Sequence, residues 1–459
     1  MTQRFDAIII GSGQAGPPLA SRLTAAGMSV AFIEREHFGG TCANDGCIPT
    51  KALVASAYAA HMARRHSDFG VVVGGPIGVD MRAVKARKDG IVRASVDGVS
   101  AWVKGMPMMS LFWGPARFTA AHRVAVNGEV MESDRIFINV GGRPFVPDWL
   151  GLKNVPYFTN TSMMQVDFLP EHLVIVGGSY IGLEFAQMYR RFGSQVTIVE
   201  QGPRLIARED EDVSSAIYDI LAAEGIQIRL NARCIGVAAH GAGVAVTSDC
   251  AEGEPIVTGS HLLLAIGRRP NTDGLGLEVA GISCDERGFI RVDEQLCTSV
   301  PGVWALGDVN GRGAFTHTSW NDYEIVAANL LDADRRRVSE RIGAYALYID
   351  PPLGRVGMTE REVRASGRPA LMGKMPMTRV GRAFERSETL GFMKILVDAT
   401  TNTILGAALL GLNGDEIVHT ILDLMYAQAP YTVISRAMHI HPTVAELLPT
   451  LLQHMRSLQ

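Results

Sequence analysis

Cysteine is scarce in this chain. Six cysteines in 459 residues exclude the disulfide framework of a small secreted scaffold. Four of them, Cys234, Cys250, Cys284 and Cys297, show neither paired spacing nor nearby histidine clusters of the zinc type. No metal site is expected from them, and they read as buried or incidental thiols. Excess positive charge is missing too. Lysine and arginine total 43 against 47 acidic residues, a net charge of -4, which leaves no basic footprint for nucleic acid or an anionic membrane. Although 47% of the residues are hydrophobic, no long apolar run occurs, and Met1 to Asp6 lead straight into a short apolar strand without a cleavage-type site. Neither a membrane span nor a secretory leader is expected, and a cytoplasmic location is. Low-complexity stretches and large linkers are absent as well. The length then suggests about three domains, and the composition favours small-molecule chemistry.

Glycine, by contrast, is plentiful, at 49 residues, and it falls in telling places. The apolar strand Ala7 to Ile10 runs into Gly11-Ser12-Gly13-Gln14-Ala15-Gly16, followed by an amphipathic helix expected from about Pro17 to Ala26. This is a dinucleotide fingerprint in its required context: Gly11 makes the turn, Gly13 lets backbone N–H groups approach a pyrophosphate, and Gly16 lets helix and strand pack closely. Prolines in a first helical turn remove only donors that lack intrahelical partners. The next strand, Val30 to Glu34, ends in an acid suited to a ribose hydroxyl. The pattern returns at Leu173 to Val176 with Gly177-Gly178-Ser179-Tyr180-Ile181-Gly182, and the strand Gln195 to Val199 is followed by Glu200. Ser179 takes the middle glycine position, where a small hydroxyl can face a phosphate. Glu200 would accept from a 2′-hydroxyl and repel a 2′-phosphate, favouring NAD(H) over NADP(H), although Arg204 and Arg208 nearby weaken that preference. Two apolar strands stop at Gly141-Gly142-Arg143-Pro144 and at Gly267-Arg268-Arg269-Pro270, as equivalent exits from two nucleotide domains. Another, Val303 to Leu306, ends at Gly307-Asp308, where an acid would meet a cofactor's polyol.

Between the two loops lies Gly39-Gly40-Thr41-Cys42-Ala43-Asn44-Asp45-Gly46-Cys47-Ile48-Pro49-Thr50-Lys51. Four residues between the cysteines allow a distorted helical turn to bring their Cα atoms within the roughly 4.4 to 6.8 Å that a disulfide needs. With a nucleotide loop upstream and the apolar-periodic stretch from Ala52 to Ala63 downstream, Cys42 and Cys47 read as a redox-active disulfide beside a flavin, and Lys51 as the opening of a helix. Near the C-terminus, His441 precedes Pro442, and Glu446 is expected about a turn into the next helix, where it can orient the imidazole. A thiol, a histidine and an orienting carboxylate form a base-activated nucleophile. His439 is the competing base, and His439 with His441 alone makes a poor metal pair.

These residues resemble the class I flavoprotein pyridine nucleotide-disulfide oxidoreductases, in the mercuric reductase-like or dihydrolipoamide dehydrogenase-like branch. The likeness rests on Cys42 to Lys51, Gly177 to Glu184, Gly307-Asp308, and His441-Pro442-Thr443 with Glu446, and it covers nearly the whole chain. It implies an α/β fold: two Rossmann-like dinucleotide-binding domains, the NAD domain inserted in the FAD domain, plus a C-terminal α+β dimerisation domain. The expected division is 1–145 for the FAD-binding domain, 146–267 for the NAD(P)-binding domain, 268–338 for the rest of the FAD domain and 339–459 for the interface domain. The resemblance further implies FAD and a nicotinamide cofactor, with Thr41, Gly142 and Gly267 beside the cofactors and Tyr180 as a movable cover over the nicotinamide. It pairs Glu184 with Lys51 and gives Cys47 the flavin contact and Cys42 the exchange with substrate. A homodimer follows, in which His441 reaches the disulfide of the other subunit and holds Cys42 as thiolate.

Departures from the family bear on the substrate. Asp45 stands where relatives commonly carry an apolar residue, and a carboxylate near the thiols would raise their pKa or exclude anionic substrates. The chain shows no N-terminal C-x-x-C and no C-terminal cysteine pair, which disfavours mercuric ion, while Thr316 to Tyr323 and Pro430 to Ala437 look closer to the mercuric reductase-like branch. A small-molecule thiol or disulfide is the expected substrate. A small thiol-reactive oxidant or metal ion is the alternative, and a redox sensor or binding subunit of a multienzyme complex is the reading from another class.

Overall fold

The computed structural model describes residues 2–249 and 255–458. Cys250 lies outside them, as does the side chain of Cys234. Cys284 and Cys297 are half-buried rather than buried.

Two parallel sheets dominate. In the first, Val303–Ala305, Ile136–Ile138, Ala7–Ile10, Val30–Glu34 and Met109–Trp113 lie side by side in that order. In the second the order is Gln227–Arg229, Gln195–Val199, His172–Val176 and His261–Leu264. Ala7–Ile10 and Ile136–Ile138 are buried from end to end, and Val30–Glu34, His172–Val176, Gln195–Val199 and His261–Leu264 at all but one position, which explains their Val/Ile/Leu-rich composition: a parallel sheet is covered on both faces. Each glycine loop leaves the carboxyl end of a central strand and enters a helix, Gly16–Ala25 or Tyr180–Phe192. Pro17 and Pro18 occupy the first turn of the former.

The Gly-Arg-Pro signals do more than stop strands. Gly142–Pro144 and Arg268–Pro270 are themselves short strands, paired antiparallel with Arg143 opposite Arg269. The chain therefore leaves and re-enters the part that holds the second parallel sheet through one two-stranded connection. The C-terminal part is a six-stranded sheet, with Leu353–Gly357, Ile404–Leu410 and Phe392–Asp398 at its centre, flanked by helices such as Gly414–Tyr426.

One apolar core joins the three parts. Leu53 and Ala57 of the helix Cys47–Arg64 pack with Leu183 and Ala186 of the helix Tyr180–Phe192 and with Leu347, Leu353 and Leu410 of the C-terminal sheet. Burying a leucine is worth about 1.5–3 kcal/mol, so the helix that carries Cys47 and Lys51 is fixed by contacts to both other units. A second tie is ionic. Lys394, wholly buried in the C-terminal sheet, places its ammonium 3.0 Å from Asp210, 2.8 Å from Asp212 and 3.1 Å from Glu360. This acidic trio is the one group of possible metal ligands among the described residues, and the lysine sits among its oxygens. Replacing Lys394 by alanine is expected to cost about 3 kcal/mol, because three acids lose their shared counter-charge in a poorly solvated place; the urea unfolding midpoint measures it.

Candidate active site

The turn between the thiols is built from two helices. Cys42 lies in the short helix Gly40–Asn44, and Cys47 is the first residue of the helix Cys47–Arg64. The long helix thus starts four residues before Lys51, because Asp45 and Gly46 break the backbone just ahead of it. A Cβ on Gly46 would meet the Thr41 carbonyl oxygen at 2.8 Å, so this corner excludes any side chain.

Both cysteines are free thiols, and each shifts the pKa of the other. The hydrogen bond from Cys42 pushes the Cys47 thiol down to about 6, helped by the Thr316 hydroxyl and the Lys51 charge against the opposing effect of burial. The same bond, with burial, raises Cys42. Thr316 Oγ1 lies 3.2 Å from Cys47 Sγ and opens the helix Thr316–Leu331, so a hydroxyl and the positive end of a helix face the thiolate together.

One turn along from Cys47, Lys51 Nζ lies 2.8 and 3.1 Å from the two oxygens of Glu184. Glu184 is almost fully buried and also accepts the Tyr348 backbone N–H at 3.1 Å. Lys51 stands 4.5 Å from the centre of the Tyr348 ring. Three parts of the chain therefore meet at one carboxylate. Tyr180, first residue of the Glu184 helix, is half-buried with its ring 5.7 Å from Phe315. Phe315 stacks in turn on Tyr345, whose hydroxyl donates to the buried Glu209.

The two glycine loops are near-copies in their details. Gly11 and Gly177 both adopt positive φ, and a Cβ on either would meet a carbonyl oxygen of the neighbouring strand end at 2.4 Å. The packing at Gly16 and Gly182 is as close or closer, since a Cβ there would meet the Gly11 or Gly177 oxygen at 2.4 or 2.0 Å. Asn139 stitches the first loop to its surroundings, accepting from Gly16 N at 3.1 Å and donating to Leu306 O at 2.9 Å. Glu34 accepts from Ser12 N and Ser12 Oγ on one oxygen and from Arg35 N and Glu36 N on the other. A ribose hydroxyl must therefore displace the Ser12 hydroxyl. Glu200 is less committed: it accepts Gly178 N at 2.5 Å and Gly202 N at 2.6 Å, one on each oxygen. Ser179 is the N-cap of its helix yet makes no capping bond, leaving its hydroxyl and the first-turn N–H groups arranged for an anion.

The residues present fit a flavin. Asp308 is largely buried and its carboxyl is raised by that burial, while Arg268, the cation opposing the shift, stands 3.8 Å away. An acid so poorly served by donors suits the hydroxyls of a polyol chain. Gly13 and Gly40 meet almost backbone to backbone, a Cβ on Gly40 lying 3.0 Å from Gly13 Cα. Gly142 is as close to the paired strand, its Cβ position 2.9 Å from Arg269 O, whereas Gly267 has open space beside it. Thr41 is exposed, with its hydroxyl 3.4 Å from Arg268.

Comparison with known proteins agrees with this arrangement. The family model for pyridine nucleotide-disulphide oxidoreductases matches residues 5–322, and that for the family's dimerisation domain matches 344–452. The chain belongs to this family. It is a flavin-dependent oxidoreductase that works with a pyridine nucleotide and a disulfide. It is 37% identical to the probable pyridine nucleotide-disulfide oxidoreductase RclA of Escherichia coli over 453 residues, covering 97% of this chain and 98% of that protein. It is 33% identical to a dihydrolipoyl dehydrogenase of Thermus scotoductus (96% and 95% covered). The mercuric reductase of Streptomyces lividans is also 33% identical (97% and 94% covered). The structure of this chain superposes on the Cu(II) complex of the HOCl-induced flavoprotein disulfide reductase RclA from Escherichia coli with a TM-score of 0.90 and 35% identity, covering 99% of both chains.

His441 and Glu446 form a pair at the far end of the chain. Nδ1 of His441 lies 2.9 and 3.1 Å from the two carboxylate oxygens, but Glu446 precedes the helix Leu447–Gln453 instead of lying within it. The imidazole is 81% exposed, and Glu446 is its hydrogen-bond partner among the described residues. Met438 and Ile440 beside it are 99% and 78% exposed.

Asp45 departs most from expectation. Its carboxylate accepts from the Thr161 hydroxyl and its carbonyl accepts from Asn160 Nδ2 at 3.1 Å. It does not rank among the leading influences on either thiol. Sequence reasoning passed over Thr316, Tyr348, Asn160 and Thr161 as site residues, and only Thr316 carried a signal, as a hydroxyl heading a helix. In the reduced protein the ultraviolet thiolate absorbance is expected to titrate at about 6, Cys47 being a thiolate above that pH and protonated below it. Thr316→Val should move the midpoint upward by roughly one unit, the worth of one hydrogen bond.

Proposed function

We propose that the protein reduces a small-molecule disulfide with NADH, passing two electrons through the Cys42–Cys47 pair. The balanced reaction is NADH, a proton and one disulfide giving NAD⁺ and two thiols. The observation that carries this reading is the pair of free thiols at the head of the Lys51 helix, with the Thr316 hydroxyl 3.2 Å from Cys47 Sγ and Lys51 held 2.8 Å from Glu184.

Residues 1–145 with 268–338 are assigned to the flavin domain, 146–267 to the nicotinamide domain and 339–459 to the interface domain. The two parallel sheets and the separate six-stranded sheet support this division. Gly11, Gly13 and Gly16 would hold the flavin's pyrophosphate and Asp308 its polyol. Gly177, Ser179 and Gly182 would hold that of the nicotinamide cofactor, with Tyr180 over the nicotinamide pocket. A bound flavin supplies two-electron transfer between nicotinamide and disulfide. Glu184 keeps Lys51 in place, Cys47 is the flavin-side thiol, and Cys42 attacks the substrate disulfide. His441 of the partner subunit, oriented by Glu446, serves as base and acid for Cys42. Support for that shared site is the exposure of His441 with its apolar neighbours in a single protomer, together with the match to a dimerisation domain. A sensor would need no such proton shuttle.

NADH is preferred because Glu200 keeps acceptor capacity for ribose hydroxyls, while Arg204 bonds to the Ala207 carbonyl and Arg208 lies over the Tyr345 ring. The cytoplasm, where thiols are kept reduced, suits this chemistry. A second reading, reduction of a thiol-reactive oxidant or a metal ion, is favoured by the likeness to an HOCl-induced reductase whose structure was solved with Cu(II).

Stopped-flow reoxidation of the two-electron-reduced enzyme against lipoamide, glutathione disulfide, hypothiocyanite, Cu(II) and Hg(II) tests both readings. A disulfide should react fastest and Cys42→Ser should abolish that reaction; if none outpaces oxygen, the substrate class is wrong. NADH should exceed NADPH in kcat/KM by about tenfold or more, equivalent to roughly 1.4 kcal/mol. Mixing inactive Cys42→Ser and His441→Ala dimers under exchange should restore part of the activity, since a mixed dimer carries one intact site; no recovery would place His441 in its own subunit's site.

A further inference from the structure

Asp45 occupies the corner between the two helices that carry the thiols. Its backbone N–H bonds back to Thr41 O at 3.0 Å, closing the first helix, and Gly46 after it tolerates no side chain. Both of its remaining handles are taken by consecutive residues of the nicotinamide domain. The Thr161 hydroxyl donates to the carboxylate, and the Asn160 side-chain amide donates to the carbonyl. Asn160 is buried, so it is a fixed anchor. Burial raises the carboxyl and the Thr161 bond opposes that rise, while Thr161 itself stands exposed. An apolar residue at position 45 cannot accept the threonine's hydrogen bond. This acid faces the neighbouring domain, and the thiols are governed by each other, by Thr316 and by Lys51.

We propose that Asp45 is a positioning residue whose bond to Thr161 pins the redox turn to the nicotinamide domain and thereby favours the dithiol over the disulfide. The inference rests on the Cys42–Cys47 relay proposed above. Both cysteines are free thiols here, with the pin in place. Closing the disulfide draws Cys42 and Cys47 together, and Asp45-Gly46 is the corner that must move to allow it. A corner held from outside resists that movement, so the pin stabilises the reduced state relative to the oxidised one.

The test is a redox titration of the holoenzyme in dithiothreitol buffers, with the Cys42/Cys47 dithiol quantified by alkylation and mass spectrometry. In each cycle the Cys42–Cys47 S–S bond takes two electrons and two protons while dithiothreitol loses them and closes to its cyclic disulfide. Asp45→Val and Thr161→Val should each shift the equilibrium toward the disulfide by roughly tenfold, the worth of one charge-assisted hydrogen bond. The double variant should shift no further than either single one, since both remove the same bond. Asp45→Asn, which keeps an acceptor oxygen but loses the charge, should fall between wild type and Asp45→Val. Additive shifts, a shift below twofold in both single variants, or an Asp45→Asn equal to Asp45→Val would overturn the proposal. Thr161→Val keeps it testable if Asp45→Val does not fold. Wild-type protein that shows no reversible dithiol couple would sink the relay itself, whereas a wild-type couple shared unchanged by the variants sinks only the role of Asp45.

Discussion

The carboxylate of Glu184 is the point on which the geometry of the site depends. It lies on a helix of the second nucleotide unit, accepts the Lys51 ammonium from the helix that begins at Cys47, and accepts the Tyr348 backbone N–H from the C-terminal part. A charge this deeply buried is tolerable only when its partners are all present, because an uncompensated buried carboxylate costs several kcal/mol. Loss of any one of the three parts from this point therefore penalises the other two. The apolar contacts of Leu53, Leu183 and Leu353 supply the bulk of the attraction, but they are not directional. Glu184 fixes the register in which the helices pack, and so the height at which Cys47 meets Thr316.

The duplicated loops show how one backbone solution is adjusted to two tasks. In each, an acid at the end of the second strand reaches back to the second residue of the loop, Glu34 to Ser12 and Glu200 to Gly178. The first loop fills that acid with four donors and the second leaves capacity on both oxygens. A cofactor that stays bound can reorganise its surroundings once, when it is taken up. One that arrives and leaves in every turnover is better served by acceptors that are already free, which is the difference seen between Glu34 and Glu200.

Much of this was legible in the sequence because it is local. A glycine loop between an apolar strand and a helix, or an acid at a strand end, is a short-range pattern whose physical reason fits within twenty residues. Boundaries failed where a tertiary contact decided them. Periodicity placed the redox helix at Lys51, yet it begins at Cys47, since residues 47 to 50 are small or apolar and say little on their own. Glu446 was expected inside a helix and stands before one. The partners of Asp45, Glu184 and Cys47 come from more than a hundred residues away. No spacing rule reaches them, and the acid between the thiols was read as acting on its sequence neighbours because those were the only ones in view.

The site is also unequal in how finished it is within one chain. Around Cys47, the thiol assigned above to the flavin, the Thr316 hydroxyl and the Lys51 ammonium favour the thiolate, and Glu184 and Tyr348 hold Lys51 in place. No histidine of the described residues ranks among the influences on Cys42, the thiol assigned to substrate exchange, and its pKa is raised. The histidine–carboxylate pair that suits the task is fully formed but stands exposed at the other end of the chain, beside a methionine and an isoleucine turned to solvent. Bare apolar side chains next to a preorganised pair are costly unless covered. Covering them with a second copy would remove that cost and supply the missing base in the same contact, so assembly and the acid–base chemistry of Cys42 would be set by one interface.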